Sequence, residues 1–138
     1  MKEYVLDANA VLRYFGVSQG QGSNKVRTLF EQAERGQAHL SMSVVNLGEV
    51  LYVLLKYVGD VRARHYVQVL QHAATMVEAD VAQAVGAAEM KHRYKLGYAD
   101  SFAAMLAVTL QATLVSADPS FEKLGKTIKW IRLPKYAQ

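Results

Sequence analysis

The sequence predicts an α/β fold, a central parallel sheet with helices packed on both faces. Three observations lead there. Short apolar runs alternate with helical patterns along the chain. The 138 residues, 51% of them hydrophobic, suit a single domain with one core over residues 1–138. No apolar run reaches the length of a membrane span, and mean hydropathy is near zero.

Taken in order, residues 3–6 read as a strand, and Asn9 to Phe15 as a short helix. Gly, Gln and Ser cluster from Gly16 to Gly22, which predicts a flexible loop. Ser23 is placed to cap a helix that runs to Arg35 and closes at Gly36. His39 to Ser41 forms a short strand. Ser43 caps a helix from Val44 to about Tyr57, which Gly59 breaks, and Asp60 starts another to about Ala73. Thr75 to Val77 is a strand. Asp80 with Gln83 forms a capping-box pattern for a helix to about Lys95. Asp100 lies in the first turn of a helix to about Gln111. Thr113 to Ser116 is a strand, Pro119 to Leu124 a short helix, and Thr127 to Leu133 the last strand. Strands separated by helices argue for right-handed crossovers, which put every strand's C-terminal end on one rim. Ligands of such sheets bind at that rim.

Composition narrows the chemistry. The chain has no cysteine, which excludes disulfides, zinc–thiolate sites and cysteine nucleophiles. The N-terminal run Tyr4-Val5-Leu6 is too short for a signal peptide and ends in an aspartate, so a cytoplasmic location is expected. Net charge is +4. Setting aside four candidate site carboxylates leaves eight of the 12 acidic residues against 16 basic ones. Such a body attracts polyanions, although a mildly basic protein with no polyanion partner fits the charge equally well.

Those four carboxylates are Asp7, Glu49, Asp100 and Asp118, each set beside apolar sequence. Carboxylates are rarely buried unless paired or bound to a cation, and four that converge repel one another unless a metal neutralises them. Asp7 and Asp118 each follow a strand and would share the rim. Each also has an ordinary reading. Asp7 and Asp118 precede helices and fit as N-caps, the second with proline at the first helical position. Asp100 suits a helix N-terminus through the dipole. Glu49 lies on a row with Val45 and Val53, where a buried glutamate satisfied by Asn46 competes with a helix edge turned to solvent. Asn9, two residues after Asp7, aims a second polar group at the same place. Oxygen ligands without cysteine or an evident histidine suit Mg²⁺ or Mn²⁺ better than Zn²⁺.

Lys91, His92, Arg93 and Lys95 end the helix before Asp100, with Tyr94 and Tyr98 interleaved. They fit cations at a helix C-terminus, and equally a phosphate-gripping patch beside the site, with Lys91, Arg93 and Lys95 as its cations and Tyr94 and Tyr98 available for aromatic stacking. His39, His65 and His72 have no metal-ligand spacing. Trp130 reads as core.

With these residues in view, the chain resembles the PIN-domain family, and within it the small VapC-type toxins. The matching segments are Tyr4 to Leu12, Ser43 to Val50, Gly97 to Ala104 and Ala112 to Phe121, in the family's order and spread over nearly the whole chain. The resemblance implies a three-layer α/β/α sandwich. Asp7, Glu49, Asp100 and Asp118 match the family's acidic quartet, which holds Mg²⁺ or Mn²⁺, and Asn9 and Ser116 match its orienting polar positions. It implies metal-dependent hydrolysis of RNA phosphodiesters, leaving a 5′-phosphate and a 3′-hydroxyl. It also implies a cognate antitoxin, bound in grooves between the first helices and near the acidic pocket, and a homodimer. Leu51, Leu54, Leu55, Val58, Val67 and Leu70 look available for a dimer face. Two positions depart from the pattern. Ala112 stands where the family often has glycine, and Pro119 where a polar residue is more usual. An RNA-processing nuclease of the same family that is not a toxin remains open. So do a catalytically silent binding module and a phospho-receiver using Glu78 and Asp80, although the receiver's paired acids and late lysine are missing.

Overall fold

The computed structural model describes residues 1–17 and 24–134. Five strands form one parallel sheet in the order β3-β2-β1-β4-β5. They are β1 (Lys2–Leu6), β2 (Ala38–Ser43), β3 (Thr75–Val77), β4 (Thr113–Ser116) and β5 (Lys129–Arg132). The helices are α1 (Ala8–Tyr14), α2 (Asn24–Glu34), α3 (Val44–Val58), α4 (Asp60–Ala73), α5 (Val81–Tyr94) and α6 (Tyr98–Leu110), with a 3-10 segment at Pro119–Thr127. The loop predicted at Gly16–Gly22 is described only at Gly16 and Val17; its remainder and the Ser23 cap lie outside the described residues.

Strand pleating sorts the core into two layers. Tyr4, Leu6, Leu40, Met42 and Val115 face one side and pack with Val11, Leu29, Val50 and Leu54 of α1 to α3. Val5 and Leu114 point the other way, into Ala103, Leu106 and Ala107 of α6 and Phe121 and Leu124 of the 3-10 segment. Helices thus cover both faces, the expected architecture for an all-parallel sheet. Gly86 on α5 belongs to the second layer. A Cβ there would meet Met105 Sδ of α6 at 2.5 Å, so the absence of a side chain permits the close approach of the two helices.

Several expectations are adjusted by packing. β2 spans six residues because it pairs with strands on both sides. β5 is confined to Lys129–Arg132, matched one-to-one with the four residues of β4, and Thr127 joins the 3-10 segment. The capping box of α5 is half formed. Asp80 Oδ1 accepts from the Gln83 N–H at 2.8 Å, but the Gln83 amide donates to Thr109 Oγ1 on α6 at 3.0 Å instead of folding back. Ala112 needs no glycine, since the left-handed residue that ends α6 is Gln111, with φ 52°. The apolar positions of α3 and α4 are largely spent on the core. Leu54 and Leu70 are fully buried, Leu51, Val58 and Val67 pack against the core, and only Leu55 of the six is exposed. Tyr52, Tyr57, Val61 and Val69 are the other exposed apolar residues of this pair.

The sheet order 3-2-1-4-5 makes the chain leave β1 toward β2 on one side and reach β4 on the other. The gap between the C-terminal ends of β1 and β4 is the topological switch point, where such sheets bind ligands. Leu54→Ala is expected to cost about 2–5 kcal/mol, measured by urea denaturation; a loss below about 1 kcal/mol would contradict its placement in the core.

Candidate active site

Four elements deliver the candidate carboxylates to that switch point. Asp7 ends β1, Asp118 follows β4, and Glu49 lies in the second turn of α3, which starts directly after β2. α6 leads into β4 and runs opposite to it, so its first turn, with Asp100, reaches the same rim.

Asp7 is the most enclosed, at 2% exposure. Its Oδ1 accepts from the Ala10 N–H at 2.8 Å and so caps α1, while its Oδ2 accepts from the Ser116 hydroxyl. The capping and site readings therefore describe the same side chain. Burial pushes the Asp7 pKa up to about 7; the Ser116 and Ala10 hydrogen bonds oppose the rise, and the charges of Asp100 and Asp118 add to it. Arg13, buried on α1, feels the Asp7 charge in turn. Burial lowers its guanidinium pKa, and Asp7 offsets part of that drop.

Asp100 is half-buried and its pKa is raised to about 6, first by desolvation and then by Asp118 and Glu49. Gly97, the N-cap of α6, makes room for it. A Cβ at Gly97 would stand 2.8 Å from Asp100 Oδ2. Asp118 caps the 3-10 segment, its Oδ1 accepting from the Ser120 N–H at 2.9 Å, and Pro119 occupies the first helical position without drawing Asp118 away from its neighbours. Glu49 is exposed, which settles one of its two ordinary readings, yet it also accepts from Asn46 Nδ2 at 3.2 Å. The same amide donates to the Ala99 carbonyl at 3.0 Å and so ties α3 to the first turn of α6.

Asn9 Oδ1 accepts from the Ala117 N–H at 3.3 Å, and Ser116 Oγ accepts from the Asp118 N–H at 3.0 Å. Both polar positions thus brace the backbone beside Asp118. Sequence reasoning gave Asn46, Gly97, Arg13 and Trp130 no site role. An asparagine three residues before Glu49, and an arginine directly after the apolar run Ala10-Val11-Leu12, were the available signals.

Among the described residues, no three carboxylate or imidazole side chains are gathered tightly enough to hold an ion in this arrangement. Asp7 illustrates why, since both of its oxygens are committed to Ala10 and Ser116. The donor set nevertheless fits a hard divalent cation. Every donor is an oxygen, Asp7 and Asp100 feel neighbouring carboxylate charge, and the fully buried Asn46 Oδ1 has no hydrogen-bond partner.

Lys91, Arg93, Tyr94, Lys95 and Tyr98 occupy the α5–α6 junction, at the same end of α6 as Asp100. Lys91 Nζ donates to the Leu96 carbonyl at 2.9 Å, in the connection between α5 and α6. The Arg93 guanidinium lies 5.4 Å from the Tyr94 ring centre, and Tyr94 Oη meets Thr127 Oγ1 at 3.2 Å. Two open hollows flank the junction. One of about 670 Å³ includes Arg93, Tyr94, Lys95 and Thr127 in its lining, and one of about 500 Å³ includes Lys91, Lys95 and Tyr98. His39 stands elsewhere, bonded to Glu3 at 2.7 Å and Thr75 at 2.8 Å across three strands. Glu78 is exposed beyond the edge strand β3, and Asp80 caps α5.

The sequence model of the family described as PIN domain matches residues 4–127. No curated protein matches the chain in sequence. Among solved structures, VapBC2 from Rickettsia felis bound to a DNA fragment from its promoter superposes with a TM-score of 0.75 at 15% identity, covering 96% of this chain and 99% of that one. DNA-bound VapBC from Salmonella typhimurium gives 0.75 at 18% identity, covering 96% and 98%. VapC20 from Mycobacterium tuberculosis, a toxin that cleaves the sarcin–ricin loop, gives 0.70 at 16%, covering 88% and 95%.

Removing the ionisable group at Asp7 tests its environment. The folded pKa, about 7, lies above the 3.8 of an ordinary aspartate. Between those values the unfolded chain has lost the proton and the folded one keeps it, so stability is full below pH 3.8 and falls as pH rises toward 7. Urea melts in EDTA should show Asp7→Asn gaining on wild type by about 1.4 kcal/mol per pH unit across that window. Parallel pH profiles for the two proteins would contradict the buried carboxylate.

Proposed function

Since the chain belongs to the PIN-domain family, we propose that it is an RNA-cleaving nuclease dependent on Mg²⁺ or Mn²⁺, and the toxin of a toxin–antitoxin pair. The observation that carries this reading is the meeting of Asp7, Asp100 and Asp118 at the switch point, each within electrostatic reach of the others. Residues 1–138 are read as one catalytic domain.

In this reading Asp7, Asp100 and Asp118 hold the metal, and Glu49 binds it or receives the proton of the attacking water. Bound there, the cation supplies Lewis acidity, lowering the pKa of a coordinated water and offsetting charge on the phosphate. Glu49 suits proton transfer because it is exposed and can pass a proton to solvent, while its Asn46 contact keeps it in place. Ser116 and Asn9 orient the rim, the first through Asp7 and the second through the Ala117 amide. Lys91, Arg93 and Lys95 bind the phosphates of RNA, and Tyr94 and Tyr98 offer faces for base stacking. Hydrolysis breaks the bond between phosphorus and the 3′-oxygen, leaving a 5′-phosphate and a 3′-hydroxyl without use of the 2′-hydroxyl.

The toxin assignment draws on the VapBC complexes among the similar structures, including a toxin–antitoxin complex from Klebsiella pneumoniae. A groove of about 430 Å³ between α1, α2 and α4, with Tyr14, Phe30 and Val69 in its lining, suits an apolar antitoxin segment, and the homodimer is proposed on the same family grounds.

Purified protein with labelled RNA and Mn²⁺ should cleave, and both EDTA and Asp100→Asn should abolish cleavage. Cleavage that survives EDTA would overturn the metal-dependent reading. Gly97→Ala is expected to lower cleavage by about 10–100-fold by displacing Asp100, while stability stays within about 1 kcal/mol; full activity would show that the Asp100 position is not critical. Growth arrest on expression, relieved by co-expression of a small neighbouring reading frame, distinguishes a toxin from a housekeeping nuclease.

A further inference from the structure

Trp130 is the only tryptophan of the chain, and it does more than fill the core. Its ring packs edge-on to Phe121 at 6.4 Å, and its indole N–H donates to the Ser116 carbonyl at 3.1 Å. The Leu133 N–H donates to the same carbonyl at 2.9 Å. Both lone pairs of that oxygen are therefore engaged.

The other end of the same peptide is also held, because the Ala117 N–H donates to Asn9 Oδ1 at 3.3 Å. The peptide plane between Ser116 and Ala117 is thus gripped from β5 on one side and from α1 on the other. Two groups of the acidic rim depend on that plane. The Ser116 hydroxyl donates to Asp7 Oδ2, and the same oxygen accepts from the Asp118 N–H at 3.0 Å. Ser116 is fully buried, and a serine side chain has only three staggered positions, so tilting the plane would break one bond or the other.

We propose that Trp130 is a positioning residue for the acidic site, holding the Ser116–Ala117 peptide so that Asp7 and Asp118 face a common cation. This rests on the metal-dependent nuclease reading above. Outer groups that orient a metal's ligands typically change affinity by about 10–100-fold when removed. One of the two donors to the Ser116 carbonyl remains without Trp130, so the lower end of that range is expected.

The test measures metal binding without RNA. Free Mn²⁺ is counted by electron paramagnetic resonance during titration of wild type, Trp130→Phe, and protein with 3-benzothienylalanine at position 130. The last keeps the ring size and lacks the N–H donor, which separates the hydrogen bond from packing. The expected result is about tenfold weaker Mn²⁺ binding in both variants, with thermal unfolding in EDTA unchanged for the benzothienyl protein. Wild-type affinity in both variants would overturn the proposal alone. Wild type that binds no Mn²⁺ would overturn the nuclease reading and this proposal together. Should neither variant fold, Trp130 emission in the unsubstituted protein decides. A shift that follows Mg²⁺ binding supports the proposal, and unchanged emission at saturation overturns it.

Discussion

Like charges brought together away from water set the terms for this molecule. Asp7 is almost fully enclosed, Asp100 half so, and each has its pKa raised by burial and by neighbouring carboxylates. No fold would keep such a cluster for stability alone, because each ionised form costs free energy that hydrogen bonds only partly return. The compensation visible in the structure is local. The Ala10 N–H and the Ser116 hydroxyl serve Asp7, the Ser120 N–H serves Asp118, and the first turn of α6 offers its dipole to Asp100. Arg13 supplies a buried positive charge within reach of Asp7.

The sheet order makes the cluster possible. Because β1 is flanked by β2 and β4, the loops and helix starts after three neighbouring strands open onto one rim. α6 then brings its N-terminus back to that rim as it leads into β4. The two apolar layers pack these elements from opposite faces, so the carboxylates stand at strand ends and in the first two turns of helices rather than on long loops. The same geometry sets the basic and aromatic residues of the α5–α6 junction near Asp100, giving the acidic rim a cationic border.

Where sequence reasoning and structure part, the cause is usually a partner from another element. Gln83 was read as closing its own capping box, but Thr109 on α6 takes its amide. Leu54 and Leu70 looked spare on their own helices, and the core absorbs both. Trp130 was read as core packing, and its indole N–H turns out to hold the Ser116 carbonyl. Glu49 had two competing ordinary readings, and both apply in part, since it is exposed and also bonded to Asn46.

By itself the sequence determined the element order, the parallel α/β class and the four carboxylates worth following. Those signals are local: hydrophobic period, turn residues, caps, and acidic residues set against apolar runs. Only the tertiary structure decided how deeply each carboxylate lies and which neighbours brace it. Those properties depend on contacts such as Ser116 with Asp7 and Ala117 with Asn9, separated by 109 and 108 residues. No local pattern encodes a contact of that span, because it exists only once β1 and β4 pair side by side.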